Sequence, residues 1–291
     1  MKVSLTILSV FFSLQANASF TSYEQVKEKL HSIAASNPAV QLITIGASDS
    51  GDTILGLKIG KGALKNLVVG THHGNEFGST EVAVAIASSL AQSPIEGQTN
   101  YVIPVLNIGG YNQHDRYETA GAGYHDPNRD YPGPCATEGP FTLKSTRALA
   151  TFVDKENIVN SATLHTYYPA VVWPWGISTR DLNTPYTDVF KQITANATKE
   201  SGYQTGNSTE VIYAADGTFE DYAFWKHGIW SILFELGFSH NPSESDVQKM
   251  IDVNVPGIRR MLANAPMARA ADHDFRGKCD LLLRYRDRHD E

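Results

Sequence analysis

The stretch Leu67–Glu76, LVVGTHHGNE, joins a short apolar run to a polar turn. The apolar part is typical of a buried strand, and the turn carries a His-x-x-Glu pair, His73 and Glu76. A third residue, His165, ends another apolar run, SATLH, far along the chain. Two histidines and one glutamate that meet at strand ends form a ligand set for catalytic zinc. On its own such a turn is common, and a solvated polar loop is an equal alternative.

Further short motifs follow one another along the chain. They are Asn107–Tyr111 (NIGGY), Asp126–Arg129 (DPNR), Leu164–Tyr167 (LHTY), Ile212–Tyr213 and Phe234–Leu236 (FEL). Together with the His-x-x-Glu turn they resemble the zinc carboxypeptidase family of the carboxypeptidase A and B type, in order and nearly in spacing. The resemblance covers about residues 23 to 262. It implies a compact, secreted member of bacterial type that hydrolyses the C-terminal bond of peptides.

The resemblance implies a role for each residue of the metal centre. His73, Glu76 and His165 would bind one Zn²⁺ per chain. His72, which has no glutamate at the matching offset, would be a neighbour of the site. Glu235 lies in the apolar run ILFEL, where an ionised carboxylate needs a cation or hydrogen bonds. It would be the general base that takes a proton from zinc-activated water; the alternative is a glutamate that points outward or pairs with an arginine.

Four residues would bind the substrate. Asn128 and Arg129 resemble the clamp for a free C-terminal carboxylate, because an amide donor and a guanidinium fork match its two oxygens. Tyr213 would close over the peptide and donate its hydroxyl, and Tyr167 of the LHTY motif would line the cleft. These residues would make the enzyme an exopeptidase.

Two assignments concern charges beside the metal centre. Asp126 would hydrogen-bond His73 and fix its ring orientation. Arg116 is the candidate that stabilises the developing oxyanion, with an ordinary surface arginine as an equal alternative. The chain also departs from the family pattern where Gly109 and Asp130 replace the usual Asp and Asn. We expect the charge of Asp130 to weaken or reorient the neighbouring clamp.

Glu220 is the clue to substrate preference. Counted from Tyr213, it falls at the base of the pocket for the C-terminal side chain, where an acid in this family goes with Lys or Arg specificity. The alternative is that Thr218 caps a helix and Glu220 only occupies its first turn, where acids are favoured. The sequence leaves both open.

The first residues read as a signal peptide. Residues 1–18 run from Lys2 through an apolar stretch to Ala-Asn-Ala, so cleavage is expected near Ala18 and the mature protein should be secreted or periplasmic. Residues 19–266 would form one catalytic domain that begins without a pro-segment. Residues 267–291 would be a charged tail that is either solvated or docked.

Composition excludes one class of partner and leaves one bond open. The net charge of −7 gives no basic field for nucleic acid, so peptide or cell-wall peptide is the expected partner, and no stable membrane span is expected. Cys135 and Cys279 could form one disulfide in an oxidising compartment; two buried thiols are the alternative. The oligomeric state stays open.

The residue pattern predicts an α/β fold, with a mixed, largely parallel central sheet flanked by helices. A capping box, Thr21-x-x-Glu24, would open the first helix, which ends at Asn37-Pro38. Pro256 is expected to kink or interrupt the last helix. The strands are predicted at 41–45, 53–59, 67–69, 101–106, 161–165 and 230–236, and further helices at 81–91, 146–153, 185–199 and 243–262.

Other functions fit parts of the pattern. A cell-wall amidase that cuts D-glutamyl-diaminopimelate bonds would present a cationic amine to Glu220. The His-Gly-Asn-Glu sequence also occurs in aspartoacylase-like deacylases, although the spacing from Tyr213 to Glu235 favours carboxypeptidases. A non-catalytic peptide-binding protein is the alternative of another class, and the four residues His73, Glu76, His165 and Glu235 argue against it, because binding alone needs no metal with a base.

Overall fold

A computed structural model describes residues 20–135, 140–180 and 182–281. This part of the chain folds as a single α/β domain. In chain order its strands are β1 (Val40–Ala47), β2 (Thr53–Gly60), β3 (Leu64–Gly70), β4 (Gln98–Ile103), β5 (Glu118–Ala120), β6 (Gly123–His125), β7 (Asn160–His165), β8 (Ala170–Trp173), β9 (Gln204–Asn207) and β10 (Trp230–Glu235). Its α-helices are α1 (Tyr23–Ser36), α2 (Ser79–Gln92), α3 (Ile108–Gln113), α4 (Lys144–Glu156), α5 (Thr187–Ala197), α6 (Ser208–Val211), α7 (Phe219–His227) and α8 (Glu244–Ala263).

The central sheet has eight strands in the order β1-β2-β4-β3-β7-β10-β8-β9. Its middle four strands, β4, β3, β7 and β10, are parallel, whereas β1, β2 and β8 introduce antiparallel pairs. The predicted mixed, largely parallel sheet is confirmed. Because parallel strands end at the same edge, the ends of β3, β7 and β10 lie together there. The register pairs Glu235 with His165 and Gly70 with Leu164.

The core strands are almost wholly buried, as their apolar runs predict. All six residues of β7 are buried, and so are residues 66–70 of β3. Helix α1 buries Tyr23, Val26, Leu30 and Ile33, which recur at helical spacing and cover the sheet. Helix α8 packs against α2 and α5.

One local prediction is wrong, and another is wrong in part. The first helix starts after Ser22 with no side-chain cap bond, and the Thr21 hydroxyl instead bonds the Gln25 side chain at 3.2 Å, so the Thr21-x-x-Glu24 capping box does not form. Pro256 does not interrupt the last helix, because α8 continues from Glu244 to Ala263 around it.

Residues 267–281 pack against the domain. Cys279 forms a disulfide with Cys135, which confirms the pairing hypothesis. The carboxylate of Asp280 accepts hydrogen bonds from the Ser178 hydroxyl (3.1 Å) and the Thr179 amide (2.9 Å). The predicted signal peptide, residues 1–18, and residues 282–291 of the predicted tail lie outside the described residues. Within the described ranges, no helix has the length and apolar composition needed to cross a membrane.

Candidate active site

The three candidate metal ligands meet at the shared edge of β3 and β7. Glu76 lies between the two histidines: His73 Nδ1 is 2.7 Å from its Oε1, and His165 Nδ1 is 2.9 Å from its Oε2. The two histidine Nδ1 atoms are 3.3 Å apart. All three side chains are buried. Two imidazoles and one carboxylate that converge in this way fit a zinc ion, because each offers a ligand atom toward one point.

The turn after β3 is shaped to place His73 and Glu76. The Glu76 amide donates to the His73 carbonyl at 3.3 Å, so both side chains leave one tight turn. Gly74 approaches the backbone of α3 so closely that a Cβ atom there would lie 2.1 Å from the Gly110 carbonyl carbon. Any larger residue would therefore push this turn away from α3 and displace the ligands.

His73 is held from behind by Asp126. Its Nε2 is 2.9 Å from Asp126 Oδ1, which leaves Nδ1 directed at Glu76. This is the arrangement that fixes the ring of a metal-ligating histidine. The structure thus brings together all four residues that the sequence assigned to the metal centre and its support.

The charges around this centre compensate one another. Burial alone would raise the pKa of Glu76, but the two imidazoles beside it hold that pKa well below its usual value. Burial also opposes ionisation of Asp126, yet its contact with His73 and the nearby Arg129 and Arg116 hold its pKa well below its usual range. The site therefore keeps two carboxylates ionised in a protein interior.

Glu235 lies at the end of β10, directly beside His165 in the register. Burial raises its pKa well above the usual value, and the charge of Glu76 adds to the effect. Its Oε2 atom is shielded from solvent and has no hydrogen-bond partner among the described residues. A carboxyl group that is hard to ionise and has a free oxygen is suited to hold and release a proton.

Arg116 lies at the metal centre. Its Nε and Nη2 are 3.0 and 2.8 Å from Asp126 Oδ2, and its Nη1 is 3.2 Å from His73 Nδ1. The Arg116 carbonyl accepts bonds from the Gly74 amide (3.4 Å) and the Asn107 side chain (3.2 Å). The alternative of an ordinary surface arginine therefore does not describe its surroundings.

The proposed carboxylate clamp forms a second group in the same cleft. Arg129 Nη2 donates to the Tyr213 hydroxyl at 3.1 Å, and its guanidinium lies 5.8 Å from the centre of that ring. Asn128 is buried: its Oδ1 accepts from the Phe219 amide at 2.8 Å, and its Nδ2 donates to Glu220 Oε2 at 3.3 Å. Tyr213 is half exposed and borders solvent.

Asp130 does not act on the clamp in the way expected. Its carboxylate is turned toward the start of α4, where it accepts from the amides of Thr142 (2.8 Å) and Leu143 (3.0 Å) and from the Thr146 hydroxyl. The Asp130 carboxylate thus satisfies the amides of the two residues that precede α4. The expected disturbance of Arg129 by Asp130 is therefore not supported.

Glu220 satisfies part of both sequence interpretations. Thr218 caps α7 by accepting from the Asp221 amide at 3.3 Å, and Glu220 lies in the first turn of that helix. Glu220 is nevertheless only 2% exposed, and the Thr163 hydroxyl donates to its Oε1. It lines one pocket together with His73, Asn128, Arg129, His165, Gly176, Ser208, Ile212, Tyr213, Ala215, Thr218, Leu233 and Glu235.

The structure also shows one residue of the site that the sequence analysis did not assign, Asp221, and it places the two predicted neighbours His72 and Tyr167. Burial, with the charge of Glu220, raises the pKa of Asp221 to about 8, and both its oxygens are 3.0 Å from the Gly176 amide on the pocket wall. His72 stacks on the His165 ring at 5.4 Å. Tyr167 is half exposed, and its ring centre lies 4.8 Å from that of His240; it is not among the residues that line the pocket of Glu220 and Glu235. Of these three residues, only Asp221 had no signal in the sequence.

Comparison with known proteins identifies the family. A sequence model of the zinc carboxypeptidase family matches residues 26–256. The chain belongs to the zinc carboxypeptidase family. This zinc carboxypeptidase is 27% identical over 255 residues to carboxypeptidase B from Astacus astacus, which covers 72% of the chain and 84% of the relative.

Solved structures share the fold of this zinc carboxypeptidase. Bovine thrombin-activatable fibrinolysis inhibitor, in complex with tick carboxypeptidase inhibitor, superposes with a TM-score of 0.76 at 17% identity, over 85% of this chain and 97% of that one. Murein-tripeptide amidase from Escherichia coli O157 superposes with a TM-score of 0.54 at 14% identity, over 77% and 92%. Membership of the family makes the protein a hydrolase of the metallopeptidase class. The family is zinc-dependent, and the buried His-Glu-His group could hold the ion.

Proposed function

We propose that this protein is a carboxypeptidase that removes single residues from the C-terminus of peptides, with one zinc ion held by His73, Glu76 and His165. The observation that carries the proposal is that these three buried side chains converge beside Glu235 in the cleft that also contains Arg129. Zinc bound there would polarise the scissile carbonyl and activate a water molecule. The other steps are assigned to side chains of the protein.

Glu235 is the proposed general base and later the general acid. Its Oε2 atom is buried and has no hydrogen-bond partner among the described residues, so a reacting water or amine brought into the site would satisfy it. The raised pKa of Glu235 means that it can keep a proton long enough to pass it to the leaving amine. Its position on β10 next to His165 keeps it beside the scissile bond.

Arg116 is proposed to stabilise the negative charge that develops on the carbonyl oxygen. Asp126 binds its Nε and Nη2, so the guanidinium is held in one orientation, with Nη1 directed toward the metal ligands. A donor held in place before the reaction needs no rearrangement as charge develops.

Arg129, Asn128 and Tyr213 are proposed to bind the terminal carboxylate of the peptide. Arg129 and Tyr213 already contact one another at 3.1 Å, and a carboxylate placed between them would accept a hydrogen bond from each. Recognition of a free carboxylate limits cleavage to the last peptide bond.

Glu220 supports a preference for Lys or Arg at the C-terminus. Glu220 lines the pocket, and Thr163 and Asn128 both donate hydrogen bonds to its carboxyl oxygens. A buried acid at the end of a pocket would bind a cationic side chain strongly. Asp221 lies behind the wall formed by Gly176, and because burial raises its pKa to about 8 it is largely protonated at neutral pH and adds little charge there.

A cell-wall amidase is the second candidate. Diaminopimelate also carries an amine that Glu220 could bind, and the murein-tripeptide amidase shares the fold. The deacylase alternative has less support, because the LHTY motif and the spacing from Tyr213 to Glu235 favour carboxypeptidases.

We also propose that residues 1–18 are a signal peptide, that the mature catalytic domain spans 19–266, and that the protein is secreted or periplasmic. N-terminal sequencing of protein recovered outside the cytoplasm should begin near Ser19. An N-terminus that retains Met1 in that fraction would contradict this assignment.

The function is tested by incubating purified zinc-loaded protein with a mixed peptide pool that includes peptidoglycan stem peptides, followed by mass spectrometry. Glu235→Gln protein and a chelated sample serve as controls. Loss of single C-terminal residues that both controls abolish supports the carboxypeptidase. Cleavage confined to stem peptides favours the amidase, and an intact pool with stoichiometric zinc refutes both.

A further inference from the structure

The two histidines of the metal centre are held in different ways. The outer nitrogen of His73, Nε2, is 2.9 Å from Asp126 Oδ1, and this contact fixes the ring. The outer nitrogen of His165, also Nε2, is shielded from solvent and has no hydrogen-bond partner among the described residues. A metal-ligating histidine almost always bonds a carboxylate, carbonyl or water through this atom, because that bond sets the orientation of its ring. The ring of His165 is therefore held by other contacts.

One of these contacts comes from a third buried histidine, His72. The ring centres of His72 and His165 are 5.4 Å apart and their planes differ by 22°, so the two imidazoles stack. The His73 ring meets His165 by its edge, at 4.9 Å. A ring that stacks on His165 resists the tilt that would turn the Nδ1 atom of His165 away from Glu76, which lies 2.9 Å from it.

His72 is held in turn by Tyr131. The Nε2 atom of His72 and the Tyr131 hydroxyl are 3.2 Å apart, and both side chains are fully buried. The Tyr131 ring packs edge-on against Phe219 at 5.3 Å and stacks on Tyr222 at 5.5 Å, and both of these residues belong to α7. Because two rings pack against the phenol, its oxygen stays in one place, and the hydrogen bond holds the plane of the His72 ring.

The backbone directly before His72 is strained. Thr71 has a φ of 57°, in the left-handed region that a β-branched residue rarely enters. Its Oγ1 atom is 2.6 Å from Thr80 Oγ1 and donates to the Pro104 carbonyl at 3.1 Å. Such strain persists only where surrounding contacts over-determine it, and it concentrates at functional sites. Here it precedes two consecutive histidines: His73 is a candidate ligand, and His72 packs on another.

We propose that His72 is a positioning residue of the zinc site, whose ring holds the ring of His165 in the orientation that directs Nδ1 at the metal. The inference rests on the zinc site of the proposed function and deepens it. Because the contact is between the faces of two rings, another aromatic residue should replace His72 in this role. A residue without a ring should not.

The test compares His72→Phe with His72→Leu and His72→Met, each combined with Tyr131→Phe so that no buried hydroxyl loses its partner. The dissociation constant for zinc is measured by competition with a chromophoric chelator, with Tyr131→Phe alone as the reference. We expect His72→Leu and His72→Met to bind zinc about 10- to 100-fold more weakly, the range typical when the support of a metal ligand is removed. His72→Phe should stay within about threefold of the reference, because it keeps the stacked ring.

Two further measurements separate positioning from packing. Cobalt(II) fits the same ligands, and its visible spectrum follows their geometry; the spectrum should change in His72→Leu and His72→Met and stay as in the reference in His72→Phe. Phe224→Leu is the packing control, because Phe224 is fully buried on α7 and does not line the pocket of Glu235. It should lower the free energy of unfolding and leave the dissociation constant for zinc unchanged.

Equal dissociation constants and equal cobalt spectra for the aromatic and the aliphatic replacements would overturn the inference, whether or not peptides are cleaved. Wild-type protein that binds zinc and cleaves no peptide would refute the proposed carboxypeptidase, while the same comparison still decides about His72. Wild-type protein that binds no zinc would refute both.

Discussion

Replacement of Glu220 by Gln is the sharpest test of substrate preference, because it removes a charge with little change in shape. The carboxylate of Glu220 is 2% exposed, and its neighbours Thr163 and Asn128 are both donors that bring no opposing charge. A cationic side chain in this pocket would therefore find its partner charge on Glu220. Loss of one partner of a buried ion pair costs about 2–5 kcal/mol.

The expected result is a loss of about 100-fold in kcat/KM for a peptide ending in Lys, which is about 3 kcal/mol. The same peptide ending in Phe should change by less than about threefold, since an apolar ring gains nothing from the charge. Assays at pH 6.5 keep Asp221 from supplying a charge in its place. Burial, the larger cause of its pKa of about 8, remains in the variant and keeps Asp221 protonated at that pH.

The comparison needs a control for charge removal itself. Asp188→Asn removes one acid from α5 at a side chain that is 93% exposed and is not among the residues that line the pocket. It should leave both kcat/KM values unchanged. If Glu220→Gln leaves the ratio of Lys to Phe hydrolysis as it is in the wild-type protein, the pocket does not recognise charge and the reasoning fails.

Three further predictions concern Glu118, the disulfide and Arg116. Burial raises the pKa of Glu118 from 4.5 to about 7, so the folded state binds this proton more tightly than the unfolded state. The stability that this proton contributes is complete below pH 4.5 and falls by up to about 3 kcal/mol as the pH rises to 7. In urea unfolding at pH 4.5 and 8, the free energy of unfolding of Glu118→Gln should decrease less between the two pH values than that of the wild type. Equal decreases would contradict the assignment. Replacement of Cys135 and Cys279 by Ser should lower the free energy of unfolding by about 2–5 kcal/mol, measured against wild-type protein in the same oxidising buffer. Unchanged unfolding midpoints would show that the disulfide does not constrain the unfolded chain. Arg116→Lys should lower kcat about 10²-fold or more and leave the amount of bound zinc unchanged. The reason is that an ammonium group cannot keep two donors on Asp126 and a third directed at the metal ligands. An unaltered kcat would show that Arg116 has no part in the mechanism.

The sequence predicts best what depends on burial and motif. The central strands can be predicted because they are continuous apolar runs. His73, Glu76 and His165 can be predicted because they stand at or just after the ends of such runs. The cap of the first helix was predicted wrongly at Thr21, because a capping-box sequence is the same whether or not the threonine hydroxyl points at the helix amides. Such direction depends on packing, which the sequence does not show.

The parts that the sequence does not reveal depend on long-range contacts. Strands β8 and β9 have only four residues each, too few for a clear period. Arg116 comes to the metal centre because a short hairpin, β5 and β6, separates it from Asp126 and brings the two side chains together. The pKa of Asp221 is set by burial and by its neighbour Glu220 on α7, and its carboxyl group accepts a hydrogen bond from Gly176. The sequence around Asp221 gives no sign of these contacts.

The pairing of His165 with Glu235 on two parallel strands has a consequence for protein engineering. Their separation is set by the spacing between hydrogen-bonded strands, about 4.8 Å, and the Leu236 amide fixes it further by donating to the His165 carbonyl at 2.8 Å. The residues proposed to select the substrate lie instead on connecting segments and helix starts, such as Tyr213 and Glu220. Selectivity could therefore be redesigned by exchanging these segments, while the rigid pair at the sheet edge is carried unchanged from one variant to the next.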